Sequence, residues 1–218
     1  MKKIVLYTLV SFGLIGCSGG GSDDSVGNGG GNNRGETEVT APKPFSVPML
    51  SFSDKTAYLE AMNNARMKEQ YCGSEGIKPA VPSLTWNDDL YTAAAEHSTD
   101  MAAWNNGVTD QIEARKRFSH DGSATASDWT YLEQSLTEGS TFRQRIDNSG
   151  YKWTNIGENL TVGTSTDTAV EAVEAWLNSP PHCVNLMSAN FTQVGMALVI
   201  DADSFYTHYW TQNFGNPR

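Results

Sequence analysis

The alternation of apolar and polar positions divides the chain into three parts. Behind Lys2 and Lys3, a largely apolar run extends from Ile4 to Ile15. At about 12 residues it is shorter than the roughly 20 that a helix needs to cross the hydrocarbon core of a bilayer. From Ser18 to about Leu50 all periodicity stops, and Gly19-Gly20-Gly21, Gly29-Gly30-Gly31, Asn32-Asn33 and Pro42, Pro44 and Pro48 dominate. Such a stretch holds too little apolar surface to offset the entropy of ordering it, and predicts a flexible tether with an r.m.s. span of roughly 30 Å.

From Ser51 the pattern becomes periodic. Ser53 or Asp54 can cap a helix running to about Tyr71, with Tyr58, Met62 and Ala65 on one face. Beyond Pro79 and Pro82, Asn87 can cap a second helix, in which Leu90, Ala94, His97, Met101 and Trp104 recur at helical spacing. His97 lies on that stripe and reads as a packed, hydrogen-bonded core histidine. Phe118-Ser119-His120-Asp121-Gly122 marks a turn, and a further helix ends near Ile146, ahead of Gly150. Lys152 to Val162 alternates as a strand, and Asp167 caps a helix carrying Val170, Val173, Trp176 and Leu177 that Pro180-Pro181 should stop. Phe191 to Ile200 and Phe205 to Phe214 alternate with period two about the turn Asp201-Ala202-Asp203-Ser204. Helices and hairpin-like strands mix without a regular βαβ rhythm, which predicts an α+β class with helices on a mainly antiparallel sheet.

Three domain assignments follow: 1–16 an export signal, 17–50 an anchor and tether, and 51–218 one folded domain. A basic start, a short apolar core and small residues at its end make an export signal rather than a membrane span. Leu14-Ile15-Gly16-Cys17 resembles the lipobox of bacterial lipoproteins, in which the signal is cut before the cysteine and its thiol is acylated. Each buried acyl methylene adds about 0.8 kcal/mol, so two or more chains anchor stably. The expected location is therefore extracytoplasmic, lipid-anchored through Cys17. With Ser18 and no Asp after the cysteine, the outer membrane is implied for a Gram-negative cell.

The formal net charge of −10 falls to −12 when Lys2 and Lys3 leave with the signal. That excludes nucleic acid as the expected partner, since it demands clustered Lys and Arg. Setting Cys17 aside leaves Cys72 and Cys183 as one pair in an exported chain, where disulfides persist. We read them as bridged, with free thiols or metal ligation as the alternative; no CxxC spacing supports a cysteine metal site.

Seven short pieces stand in an order that resembles the bacterial branch of the CAP superfamily, or SCP domain. They are Leu84-x-Trp86-Asn87-x-x-Leu90, Phe118-Ser119-His120, Gly150-Tyr151, Gly157-Glu158-Asn159, Trp176-Leu177-Asn178-Ser179-Pro180 with His182, Phe191-Thr192-x-x-Gly195 and Trp210-Thr211-Gln212. The resemblance implies a three-layer α-β-α sandwich with a cleft lined by two histidines and two glutamates. Carried over by motif, the histidines are His120 and His182 and the first glutamate is Glu158. The second glutamate position holds Ser179, which leaves three of the four groups and a hydroxyl suited to a supporting hydrogen bond. Pro181 stands where bacterial relatives usually have Gly. The segment from Ser123 to about Gly139, with Trp129 and Tyr131, is longer than usual and reads either as a surface insertion or as a flap near the cleft.

Two imidazoles and one carboxylate suit Zn²⁺ or another divalent metal, with a fourth position left for water. The alternative is a metal-free His–Glu–His network that orders the cleft. The favoured function is a monomeric extracytoplasmic binding module for a lipid, a cell-wall glycan or a protein. The alternative is a metal-assisted hydrolase, a peptidase or cell-wall hydrolase, with Glu158 and His120 as its catalytic candidates. No GxSxG motif supports a serine nucleophile.

Overall fold

The computed structural model describes residues 45–218, so the export signal, Cys17 and most of the tether lie outside the described residues. Helix α1 (Phe52–Arg66) begins where the Ser51 hydroxyl accepts the Asp54 amide at 3.1 Å. It ends about five residues before the predicted stop, because Arg66 is pinned. Its buried guanidinium donates to the carbonyls of Pro82, Leu186 and Ser188 at 2.6–3.0 Å. The chain then turns through β1 (Gln70–Tyr71), a 3₁₀ turn (Gly73–Glu75) and β2 (Ile77–Lys78), which brings Cys72 to Cys183.

A short strand β3 (Thr85–Trp86) leads into α2 (Asp88–Trp104), capped as expected by Asn87, whose side chain accepts the Leu90 amide at 3.0 Å. Helices α3 (Gln111–Lys116), α4 (Trp129–Glu133) and α5 (Phe142–Asn148) follow, then the long strand β4 (Trp153–Gly163). Thr168, rather than Asp167, caps α6 (Ala169–Leu177), through a reciprocal capping box with Glu171. Pro180 and Pro181 do end that helix, but they also begin α7 (Pro180–Leu186). Proline is well placed there: the first helical turn needs no amide donor, and its φ is already set. Strands β5 (Gln193–Ile200) and β6 (His208–Pro217) close the fold.

The main sheet has the order β3-β5-β6-β4. Its two long pairings, β4 with β6 and β5 with β6, are antiparallel, whereas β3 runs parallel to β5. The sheet is thus mixed rather than purely antiparallel. Its two faces carry separate cores, which gives the three layers. Val194, Met196, Trp210 and Phe214 pack on α1 and α6 residues such as Met62, Val173 and Trp176. On the other face, Ala197 meets Tyr91, Ala94 and Ala95 of α2, and Leu160, Val162 and Tyr209 meet its Met101 and Ala102. Helix α2 lies so close that a Cβ on Gly195 would stand 2.0 Å from the Tyr91 amide nitrogen, a physical reason for glycine in the Phe191-Thr192-x-x-Gly195 piece.

Cys72 and Cys183 form a disulfide with a Cα–Cα distance of 5.5 Å across 111 residues. Both are fully buried. Closing a loop of that length removes about 4–5 kcal/mol of unfolded-chain entropy in the simple model.

The Ser123–Gly139 segment packs on α2 as an insertion rooted by buried carboxylates. Asp100 accepts from the Ser123 amide at 2.7 Å and from the Ser127 hydroxyl at 2.6 Å. Glu96 accepts from the Thr130 amide at 2.6 Å and its hydroxyl at 3.1 Å. Asp128 caps α4 and binds Ser140, while the Gly122 amide donates to the Ser140 carbonyl at 2.8 Å and closes the neck of the loop. Burial raises the Glu96 carboxyl from 4.5 to about 7, against the pull of its two Thr130 bonds. The folded state therefore holds this proton while the unfolded chain releases it, and stability from Glu96 is lost as the pH rises from 4.5 to about 7. A Glu96→Gln variant keeps an acceptor for the Thr130 amide and carries no titration. Urea midpoints across pH 4–8 should show it gaining stability on the parent as pH rises; a difference independent of pH would rule out this account.

Candidate functional site

Strand β4 presents successive side chains to opposite faces, and this parity decides what Glu158 and Asn159 do. Glu158 turns toward the α2 and α5 layer and is 4 % exposed. Its Oε1 accepts from His120 Nδ1 at 2.9 Å, and Arg145 Nη2 donates to both oxygens at 3.3 and 3.2 Å. Asn213, paired with Glu158 across β4 and β6, reaches Oε2 at 3.1 Å with its amide oriented to satisfy both polar atoms. Burial alone would raise this carboxyl. The Arg145 guanidinium and the His120 hydrogen bond outweigh it and hold Glu158 at about 2, down from 4.5.

Arg145 is the functional residue that sequence reasoning missed. It is 1 % exposed. Besides Glu158, it donates to the His120 carbonyl at 2.8 Å and to the Ser140 carbonyl at 2.6 Å. One guanidinium thus fixes the backbone and the hydrogen-bond partner of the same histidine. The available signal was its place three residues after Phe142 and next to Ile146, on the inward stripe of α5.

His120 follows α3 in the turn expected from the sequence, and its side chain is half exposed. An ionised carboxylate only accepts, so Nδ1 carries the proton donated to Glu158, and Nε2 faces away from that bond. His97 lies behind the turn, fully buried, as its helical stripe predicts. Its Nε2 must donate to the Ser119 carbonyl at 2.9 Å, since a carbonyl cannot donate. Burial, reinforced by Arg145, lowers His97 to about 3, so it is neutral, and its Nδ1 has no partner.

His182 comes from the first turn of α7, one residue before the disulfide. Asn159, on the opposite face of β4 from Glu158, donates to the His182 carbonyl at 3.1 Å and to Gln212 Oε1 at 3.0 Å. Asn185 donates to the Glu158 carbonyl at 3.3 Å and to Asn159 Oδ1 at 3.1 Å. These amides fasten α7 to β4. Burial, followed by the neighbouring charge of His120, lowers His182 to about 4, so its imidazole is neutral at physiological pH. Ser179 is the N-cap residue of α7 but makes no side-chain capping bond; its carbonyl accepts the Cys183 amide at 2.8 Å.

His120 and Glu158 are therefore in direct contact, and His182 lies within electrostatic reach of His120 without a hydrogen bond to either. Among the described residues, no three His, Cys, Asp or Glu side chains are grouped so as to hold a metal ion. Both carboxylate oxygens of Glu158 accept hydrogen bonds, from His120 and Arg145, and Asn213 reaches Oε2.

The layers and this cluster define a disulfide-stapled α-β-α domain in which a buried Arg145–Glu158 pair holds the half-exposed His120. The chain belongs to the cysteine-rich secretory protein (CAP) family, whose model matches residues 59–214. It is 34 % identical over 179 residues to the "Uncharacterized protein YkwD" of Bacillus subtilis, an alignment covering 82 % of this chain and 52 % of that protein. The chain thus spans about half the length of this curated relative. Among solved structures, it is similar to an extracellular SCP-domain protein from Bacillus anthracis, at 27 % identity and a TM-score of 0.42, covering 62 % of this chain and 34 % of that one. It is also similar to an outer surface protein from Borrelia burgdorferi, at 20 % identity and a TM-score of 0.43, covering 63 % and 80 % of the two chains.

Removing Arg145 strands a buried carboxylate. Arg145→Ala should cost about 3–5 kcal/mol at neutral pH. Adding Glu158→Gln should restore part of that loss, since no unpaired charge then remains. The stability that ionised Glu158 contributes, present above pH 4.5 and lost as pH falls to about 2, should vanish in both variants. Urea unfolding of the two proteins checks this, and additive losses in the double variant would contradict the pairing.

Proposed function

We propose that the protein is an extracytoplasmic binding module whose cleft is built on His120 and His182, with Glu158 as a supporting group rather than a catalyst. The observation that carries this reading is the saturation of Glu158. A carboxyl held at about 2 by a buried guanidinium takes up protons poorly at neutral pH, whereas an efficient general base titrates near the working pH. Both of its oxygens already accept hydrogen bonds from the protein. The metal-assisted hydrolase reading asks it to act as a metal ligand or a base.

A divalent cation such as Zn²⁺ could be held with Glu158 as a supporting group rather than a ligand. His120 Nε2 and the neutral imidazole of His182 would hold it, with Glu158 fixing the His120 tautomer from behind, as carboxylates do for many ligating histidines. Bound there, such an ion supplies a Lewis-acidic position for a ligand oxygen. The ligand classes that suit the cleft remain a lipid, a cell-wall glycan or a protein segment. Calorimetry with Zn²⁺, and assays on peptide and cell-wall substrates with and without it, test the reading. Zn²⁺ affinity should be lost in His120→Ala and His182→Ala, fall about 10–100-fold in Glu158→Gln, and bring no turnover. Turnover abolished by both His120→Ala and Glu158→Gln would establish the hydrolase instead.

The extracytoplasmic location rests on the buried Cys72–Cys183 bridge, which belongs to an oxidising compartment, and on the Leu14-Ile15-Gly16-Cys17 run. Acylation at Cys17 would tether the domain to a membrane, and among the described residues no helix is long and apolar enough to cross one. Replacing Cys17 by Ser should move the protein from the membrane fraction to the soluble fraction; retention at the membrane would refute the anchor.

A further inference from the structure

A second site lies where α5, the start of β4 and the end of the chain meet. Arg143, Asp147, Tyr151, Lys152, Trp153 and Arg218 line a hollow of about 330 Å³, within the range of small-molecule pockets of roughly 300–1,000 Å³. Helix α5 divides its residues between two tasks. Arg145 and Ile146 are buried, the former in the cleft described above, while Arg143 and Asp147, four residues apart, are exposed.

Two of the three cations of this hollow are oriented by neighbours, and all three keep free donors. The Arg143 guanidinium sits 4.6 Å from the centroid of the Trp153 ring. That ring packs against the Leu90–Ile146–Tyr151 cluster, and its indole N–H donates to Asp147 Oδ1 at 2.8 Å. Trp153 is thus a fixed platform that orients Arg143 while leaving its N–H donors free. Arg218 spends its backbone amide on the Lys152 carbonyl at 3.1 Å and its Nε on the Trp153 carbonyl at 2.9 Å, so its two terminal nitrogens remain. Neither the Arg143 nor the Lys152 side chain makes a hydrogen bond or an ion pair among the described residues. Elsewhere Lys55, Lys116 and Arg145 are each matched to a carboxylate. Asp147 is the one acidic side chain lining the hollow, and one of its oxygens is taken by the indole.

We infer that this hollow binds an acidic sugar, a hydroxylated ring carrying a carboxylate. Three cationic residues against one acidic side chain in the lining of a single hollow call for an anion, and planar guanidinium groups match a carboxylate bidentately. The space, about 330 Å³, exceeds what a lone anion needs and falls in the range of small-molecule pockets. Its lining of charged and hydrogen-bonding groups suits ring hydroxyls rather than an acyl chain. The inference stands independently of the His120 cleft.

Titration of the full chain, followed by calorimetry and tryptophan fluorescence, tests it with trigalacturonate, the neutral galactose trimer and inorganic phosphate. Trigalacturonate should bind saturably and more weakly as salt rises. Arg143→Ala and Lys152→Ala should each weaken it by roughly tenfold, while Lys68→Ala, which removes an exposed charge elsewhere, should not. Circular dichroism and the thermal midpoint establish that Arg143→Ala remains folded. Equal binding of the neutral trimer, equal affinity for phosphate, or an unchanged folded Arg143→Ala variant would overturn the proposal.

Discussion

The buried pair of Arg145 and Glu158 is the constraint on which the cleft depends. Each side chain is about 1 % exposed, so neither charge is screened by water, and removing either leaves the other stranded. Taking two charges out of water is expensive and is repaid only by good geometry and additional hydrogen bonds. Those bonds run outward to the His120 ring, the His120 carbonyl and the Ser140 carbonyl. The arrangement therefore orders a surface histidine at the expense of two internal charges, which a protein needing stability alone would replace with apolar packing.

Around that pair, the fold repeatedly uses polar groups to fix loops against regular elements. Asp100 and Glu96 hold the Ser123–Gly139 segment from α2, Asn159 and Asn185 hold α7 against β4, and Arg66 holds the chain after α7. All three devices flank the cleft elements. The disulfide acts on the same neighbourhood, because Cys183 directly follows His182. A site assembled from loops and a short helix is thereby set as firmly as one built on long elements, as a preorganised binding surface requires.

The buried Cys72–Cys183 bridge suits an oxidising compartment. The two proposed binding regions use different chemistry. The cleft offers neutral imidazoles held by hydrogen bonds, whereas the Arg143–Trp153 hollow offers unspent positive charge on a rigid ring. Helix α5 contributes to both, through Arg145 on its inner face and Arg143 on its outer face.

The sequence by itself determined the features set by short-range physics. Asn87 as a cap, the helical stripe through Leu90 and Met101, the period-two strands and the burial of His97 all follow from neighbours a few residues apart. The resemblance, carried by seven motifs, pointed to His120 and Glu158, which are in contact in the structure. Tertiary structure alone decided that β3 runs parallel to β5 and that Arg145 pairs with Glu158. Caps and periodicities act within one turn or one strand, while ion pairing between α5 and β4 depends on sheet register and on how closely α2 and α5 pack, which no local pattern encodes.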